Sequence, residues 1–169
     1  ASHPDKSVTF VENHDTQPGQ SLASTVAPWF KAAAYAIILF NEAGVPCVFW
    51  GDLLGSPESD DLPAVRELPV LMSIRARAAV GPQHSAFDDP DVVGFAREGK
   101  EEIPGSGCAV ILSDRMAAEK TLYVGTRHAG QEWECTIGGH PSVRVADDGT
   151  LTGVVSDGGL SVYVPRGNA

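Results

Sequence analysis

The 169-residue sequence predicts an α/β segment followed by an all-β domain. Two observations carry that expectation. As far as Val80, short apolar runs rich in β-branched residues alternate with longer stretches at helical spacing, which is the pattern of strand–helix–strand units. From Gly81 onward, brief β-rich runs are separated by Gly, Asp, Ser and Pro, the pattern of an antiparallel sandwich or barrel. Domains are therefore expected over 1–80 and 81–169. A hydrophobic share of 43% against 20% charged residues fits a folded globular chain.

Taken in order, SVTFV at Ser7–Val11 reads as a short strand covered on both faces, because its apolar residues do not alternate cleanly. TQPGQS is a loop with a Pro-Gly turn. Ser24 or Thr25 is then placed to cap a helix with Pro28 near its start. Phe30, Ala33, Ala34, Ile37 and Ile38 recur on one face of that helix, and Gly44 and Pro46 stop it. CVFW at Cys47–Trp50 is a second apolar strand, ending in Gly51-Asp52.

After the polar loop GSPESDD, Leu62–Val80 reads as a helix, with Val65, Leu68, Leu71, Met72 and Ile74 apolar, a kink at Pro69, and Arg75 and Arg77 placed favourably near its C-terminus. Seven β-rich runs follow: DVVGFAR, CAVILS, KTLYVG, EWECTI, SVRVAD, LTGVVS and LSVYV. Two strands and two helices cannot close a barrel, which takes about eight strands. The first part is thus either a small open sheet or a portion of a larger barrel.

Charge narrows the function. Lys and Arg total 12 against 22 Asp and Glu, a formal charge of -10. That balance disfavours nucleic acid and anionic membrane, which ask for a basic patch, and suits a sugar or a divalent metal. No stretch approaches the roughly 20 apolar residues that span a bilayer, and the opening ASHPDK lacks the blocks of a signal peptide. The missing initiator Met fits a processed protein or a piece of a longer one. Cys47, Cys108 and Cys135 are odd in number, far apart and without zinc-type spacing, so free thiols in a reducing compartment are expected, which tilts localisation toward the cytoplasm. One disulfide plus one free thiol is the alternative.

The chemistry-bearing feature is the end of the first strand, where SVTFV runs into Glu12, Asn13, His14 and Asp15. In parallel sheets and barrels, ligands gather at the carboxyl ends of strands, so four binding or titratable groups there form a candidate site. The competing reading is that His14 and Asp15 only cap a loop or helix.

The stretch FVENHDTQPGQSLASTVAPWFKAAAYAIILFNEAGVPCVFWGDLLG resembles the last part of the catalytic barrel of alpha-amylases, the starch-cleaving glycoside hydrolases. The resemblance continues through QHSAFDDPDVVGFAREG, SGCAVILSD, YVGTRHAGQEWECTIGG and GGLSVYV. It implies the seventh and eighth strand–helix units of a (β/α)8 TIM barrel followed by an antiparallel β-sandwich domain. It implies also an α-glucan substrate, hydrolysed at α-1,4 bonds with retention by a nucleophilic Asp and an acid/base Glu on earlier strands, which lie outside this sequence. The chain alone is then expected to be inactive and to pair with an N-terminal barrel segment. Asp15 falls at the family's third carboxylate, the transition-state stabiliser, with His14, Asn13 and Trp50 as substrate-binding residues. Glu12 stands where Asp is usual. A carboxylate and an imidazole near ring hydroxyls suit an oxocarbenium-like state, since their hydrogen bonds strengthen as the ring flattens.

The same resemblance implies calcium at Asp91 and Asp114, with the carbonyl of Pro90 as a further donor. Calcium takes about six to eight oxygens, so this set is incomplete, and two turn aspartates are the alternative. His84 is expected as a junction residue between domains, and His3, His128 and His140 at the surface. Trp29, Trp50 and Trp133 are expected mainly in the core, Trp50 being the one best placed for a sugar. Two other functions compete. A non-catalytic glucan-binding or interaction module would need a groove of exposed aromatics, for which 81–169 offers only Phe87, Phe95, Tyr123, Trp133 and Tyr163 in strand-like contexts, and a metal phosphohydrolase using His14 and Asp15 would need further ligands.

Overall fold

Two short parallel strands begin the fold, β1 (Val8–Phe10) and β2 (Val45–Cys47), paired Val8 to Val45 and Phe10 to Cys47. This computed structural model describes residues 3–56 and 62–167, and the chain divides into two units, Ala1–Ser73 and Ile74–Ala169. In the first, α1 (Pro28–Phe40) supplies the crossover that parallel strands require. Pro28 opens it, where a missing N–H costs nothing. The expected Ser24 or Thr25 cap is not made. The N-cap is Ala27 with no side-chain bond, and the nearby amide of Val26 is taken instead by the Glu12 carboxylate at 2.7 Å.

Cys47–Trp50 is not the second strand. The bond from Val45 N to Ser7 O, 2.8 Å, sets the ladder two residues earlier, and Trp50 already begins α2 (Trp50–Leu54). Gly44 makes the turn into β2 at φ 89°, and a Cβ there would press on Thr9 Cγ2 at 2.9 Å. Nor is β1 covered on both faces by this chain, for Val8, Phe10 and Val45 are 63%, 52% and 55% exposed. The helix expected over Leu62–Val80 is α3 (Leu68–Arg77). Pro69 is its second residue and helps to start it rather than kink it, since its ring is tolerated only in the first turn. Of the expected polar loop, residues 57–61 lie outside the described ones. Among the described residues the first unit holds two parallel strands, so these strands by themselves form no barrel.

The second unit is antiparallel. Its strands are β3 (Gln83–Ala86), β4 (Val92–Arg97), β5 (Cys108–Ser113), β6 (Ala118–Tyr123), β7 (Glu132–Ile137), β8 (Val143–Arg144), β9 (Thr150–Val155) and β10 (Leu160–Pro165). A six-stranded sheet has the order β3-β4-β5-β10-β7-β8, and β6 pairs with β9. Each of the seven β-rich runs contains a strand, although SVRVAD keeps only two residues of ladder. β3 was not expected as a strand, because the polar QHSA has no apolar alternation; pairing with β4 makes it one.

Ile111, Trp133, Leu122, Leu151 and Tyr163, from both sheets, meet in one buried core. β5 is buried along its full length, which explains its unbroken apolar sequence. On β6, Leu122 and Lys120 turn inward while Glu119 and Thr121 face out. The Lys120 ammonium is satisfied by Asp88 Oδ1 at 2.6 Å and the Val92 carbonyl at 3.0 Å.

Candidate functional site

β1 leads directly into a hydrogen-bonded turn. Asn13 Oδ1 accepts from the amides of Asp15 and Thr16 at 2.9 and 3.1 Å, while Thr16 Oγ1 accepts from the amide of Asn13 at 3.1 Å. This is the local chemistry by which Asn and Thr compete with regular structure. The turn presents His14 and Asp15 with 82% and 60% of their side chains exposed and His14 Nε2 3.5 Å from Asp15 Oδ1. An imidazole and a carboxylate side by side in solvent can donate to and accept from neighbouring hydroxyls. Ser24 N then donates to Thr16 O at 3.0 Å, closing the following loop.

Glu12, one residue before this turn, is inside the protein. Its Oε1 accepts from Val26 N at 2.7 Å and its Oε2 from Lys31 Nζ at 2.9 Å. Lys31 Nζ also donates to Asp52 Oδ1 at 2.7 Å, and Asp52 Oδ2 accepts from Tyr35 OH at 2.6 Å. Relative exposures are 2% for Glu12, 8% for Lys31 and 0% for Asp52 and Tyr35. Burial works to lower the Lys31 pKa, but hydrogen bonds and charge from Asp52 and Glu12 outweigh it and raise it. Burial and the bond to Asp52 push the Tyr35 phenol well above its ordinary value.

The sequence places Glu12 among the candidate groups at a strand exit and Asp52 just after the next apolar run, and it leaves Lys31 without a role. The signal was a lysine and a tyrosine four residues apart within an apolar helix, PWFKAAAYAII. The two carboxylates are neighbours through one ammonium, yet with their oxygens taken and their surfaces removed from solvent they form no acid–nucleophile pair for a sugar. A cleft of about 350 Å³ lies beside Lys31, lined by Val26, Trp29, Val65, Arg66 and Glu67 among others; His14 and Asp15 do not line it.

Trp50 is the first residue of α2 and is 70% exposed. Trp29, at 57%, is likewise not in a core, whereas Trp133 is fully buried. Asp91 and Asp114 do come together, with Asp114 N donating to Asp91 O at 3.2 Å. Arg115 Nε lies 3.6 Å from Asp91 Oδ1 and 3.4 Å from Asp114 Oδ2. Among the described residues no group of three or more His, Cys, Asp or Glu could hold a metal. Two carboxylates that already share a guanidinium, even with the Pro90 carbonyl added, do not by themselves fit calcium's shell of about six to eight oxygens.

His128 is not at the surface. The turn at Thr126–His128 brings its ring in to 2% exposure, with Nε2 2.7 Å from Glu98 O, Nδ1 2.9 Å from Gln131 Oε1, and Trp133 edge-on at 5.0 Å. His84 lies on β3, 3.0 Å from Glu98 Oε2 and edge-on to Tyr123 at 4.9 Å. All three cysteines are free, Cys47 exposed and Cys108 buried. Among the described residues no helix is long and apolar enough to cross a membrane.

No protein-family model matches the chain. It is 42% identical over 170 residues to an alpha-amylase of Bacillus licheniformis, covering 98% of this chain and 33% of that protein. It is 43% identical over 165 residues to an alpha-amylase of Geobacillus stearothermophilus, covering 96% and 30%. The chain thus spans about a third of the length of the curated relatives it matches. A solved alpha-amylase of Malbranchea cinnamomea shares the fold with a TM-score of 0.67 at 17% identity, covering 94% of this chain and 37% of that one. An alternansucrase in complex with isomaltotriose superposes with a TM-score of 0.59 at 18% identity, over 82% of this chain and 18% of that one. By sequence along nearly its whole length, and by fold, the chain matches the C-terminal part of alpha-amylase family proteins.

Proposed function

We propose that this chain contributes one part of the active site of an alpha-amylase-type glycoside hydrolase acting with retention on α-1,4-linked glucans. Asp15 binds ring hydroxyls and favours the flattened, positively charged sugar, His14 donates beside it, Asn13 holds their turn, and Trp50 offers a face on which a glucose ring can stack. The observation that carries the reading is the solvent-facing imidazole–carboxylate pair at the exit of a parallel strand. The alpha-amylase relatives support it, and the isomaltotriose complex of a fold neighbour supports a glucan as the ligand class.

The nucleophile and the acid/base belong, in this reading, to strands outside the 169 residues. Retaining chemistry needs two carboxyl groups about 5 to 5.5 Å apart on the sugar, and Glu12 and Asp52 are withdrawn from solvent. Calcium belongs to it only with oxygen donors from other segments added to Asp91 and Asp114, and with Arg115 moved aside. The free thiols support a reducing compartment.

The test is to assay the purified chain on starch alone and after co-refolding with an alpha-amylase N-terminal segment that carries both missing carboxylates. The chain alone should release no reducing sugar above buffer, the mixture should turn over, and Asp15→Asn should cut that turnover about 10²–10³-fold. Robust turnover by the chain alone, or an Asp15→Asn mixture as fast as the parent, overturns the proposal.

A further inference from the structure

Lys31 takes no part in the sugar chemistry proposed above, yet it is the only cation bonded to two of the most deeply buried carboxylates among the described residues. Its bonds join three elements of the first unit. Glu12 follows β1, Lys31 and Tyr35 lie in α1, and Asp52 lies in α2. The Glu12 carboxylate also takes the amide of Val26, so one side chain holds the start of the loop at residue 12 and its end at residue 26. His14 and Asp15 project from that loop immediately after the anchored residue.

A carboxylate buried to this extent keeps one orientation only while its oxygens are paired, because an unpaired buried charge draws in water or turns toward it. Glu12 has two partners, a backbone amide and the Lys31 ammonium. The ammonium in turn is aimed by Asp52, which is braced by the Tyr35 hydroxyl, itself an acceptor from Phe49 N at 3.4 Å. The direction in which Glu12 points, and with it the departure of the chain into residues 13–16, is set by a cation on a neighbouring helix.

We propose that Lys31 is a positioning residue: by joining the Glu12 and Asp52 carboxylates it closes the 12–26 loop and fixes the Asn13–Thr16 turn that presents His14 and Asp15. The functional meaning of that turn rests on the proposed role of Asp15, whereas its closure does not. The neighbouring alternative is that Lys31 only neutralises buried charge, with the turn held entirely by Asn13 and Thr16.

Amide hydrogen exchange of the chain separates the two. In Lys31→Met, exchange at Asp15, Thr16 and Val26 should rise about tenfold while Val110 and Val162 of the second unit keep parent rates, and Lys31→Arg, which retains a cation, should recover most of the protection. Parent protection at Asp15 and Thr16 in Lys31→Met overturns the proposal, as does equal loss in the Met and Arg variants. If Lys31→Met leaves the first unit unfolded, Glu12→Gln keeps the side-chain shape and removes the charge. A rise of about threefold or more at the same three amides supports the proposal, and none overturns it. No sugar enters the experiment, so its failure is separate from any failure of the glucan reading.

Discussion

Lys31 Nζ stands 2.7 Å from Asp52 Oδ1, a pair with 10% and 0% of the side chains exposed, made across 21 residues of sequence. With Glu12 on the other side of the same ammonium, two carboxylates share one buried cation. Such an arrangement is weak evidence for net stability, because desolvation opposes the attraction. Breaking it from one side is costly.

Lys31→Met should therefore destabilise the first unit by about 3–5 kcal/mol, since it strands two buried carboxylates. Adding Glu12→Gln and Asp52→Asn to Lys31→Met should recover a large part of the loss, because the stranded charges are then gone. Urea unfolding followed by the fluorescence of Trp29 and Trp50, with Trp133 replaced by Phe in every variant, reports the first unit selectively. A loss below about 1 kcal/mol would contradict the account.

The same network gives stability an alkaline limit. The Lys31 and Tyr35 pKa values are both raised in the folded state, so the folded chain keeps these protons when the unfolded chain has lost them. Their contribution is complete below about pH 10 and is lost as pH climbs through the raised values. Absorbance titration should show late phenolate formation at Tyr35, and Tyr35→Phe should remove that late step. A Tyr35 phenol that ionises near pH 10 like a free tyrosine would refute the prediction.

Gly81 and Gly105 both adopt positive φ, 81° and 75°, but only one is enclosed. A Cβ at Gly81 would overlap the carbonyl oxygen of Gly99, while one at Gly105 meets nothing within 4 Å. Gly81→Ala should cost the second unit about 2–4 kcal/mol, through backbone strain and a clash that only main-chain movement relieves. Gly105→Ala should cost about 1 kcal/mol from strain alone. Thermal unfolding of the two variants side by side checks the difference, and equal losses would show that the close approach to Gly99 carries no energy.

Legibility followed the range of the interactions involved. The seven β-rich runs were readable because alternation and the intervening Gly and Asp act over a few residues, and α1 was readable from its apolar spacing and Pro28. Element edges were not. The second strand slipped from Cys47–Trp50 to Val45–Cys47 because its register is set by a bond to Ser7, and β3 exists only because β4 lies beside it. His128 was misplaced for the same reason: nothing beside it in sequence shows that Trp133 and Glu98 will enclose its ring.

What the amino-acid order determined by itself was the change from α/β to β pattern and the delivery of Asn13, His14 and Asp15 to the end of a strand, since periodicity and turn chemistry are local. What the tertiary structure alone decided was which of the neighbouring acids remain available. Asp15 stays in water, while Glu12 and Asp52 are drawn inside by a lysine 19 and 21 residues away. Burial of a charge depends on where its counter-charge is brought in space, and no spacing along the chain encodes that directly.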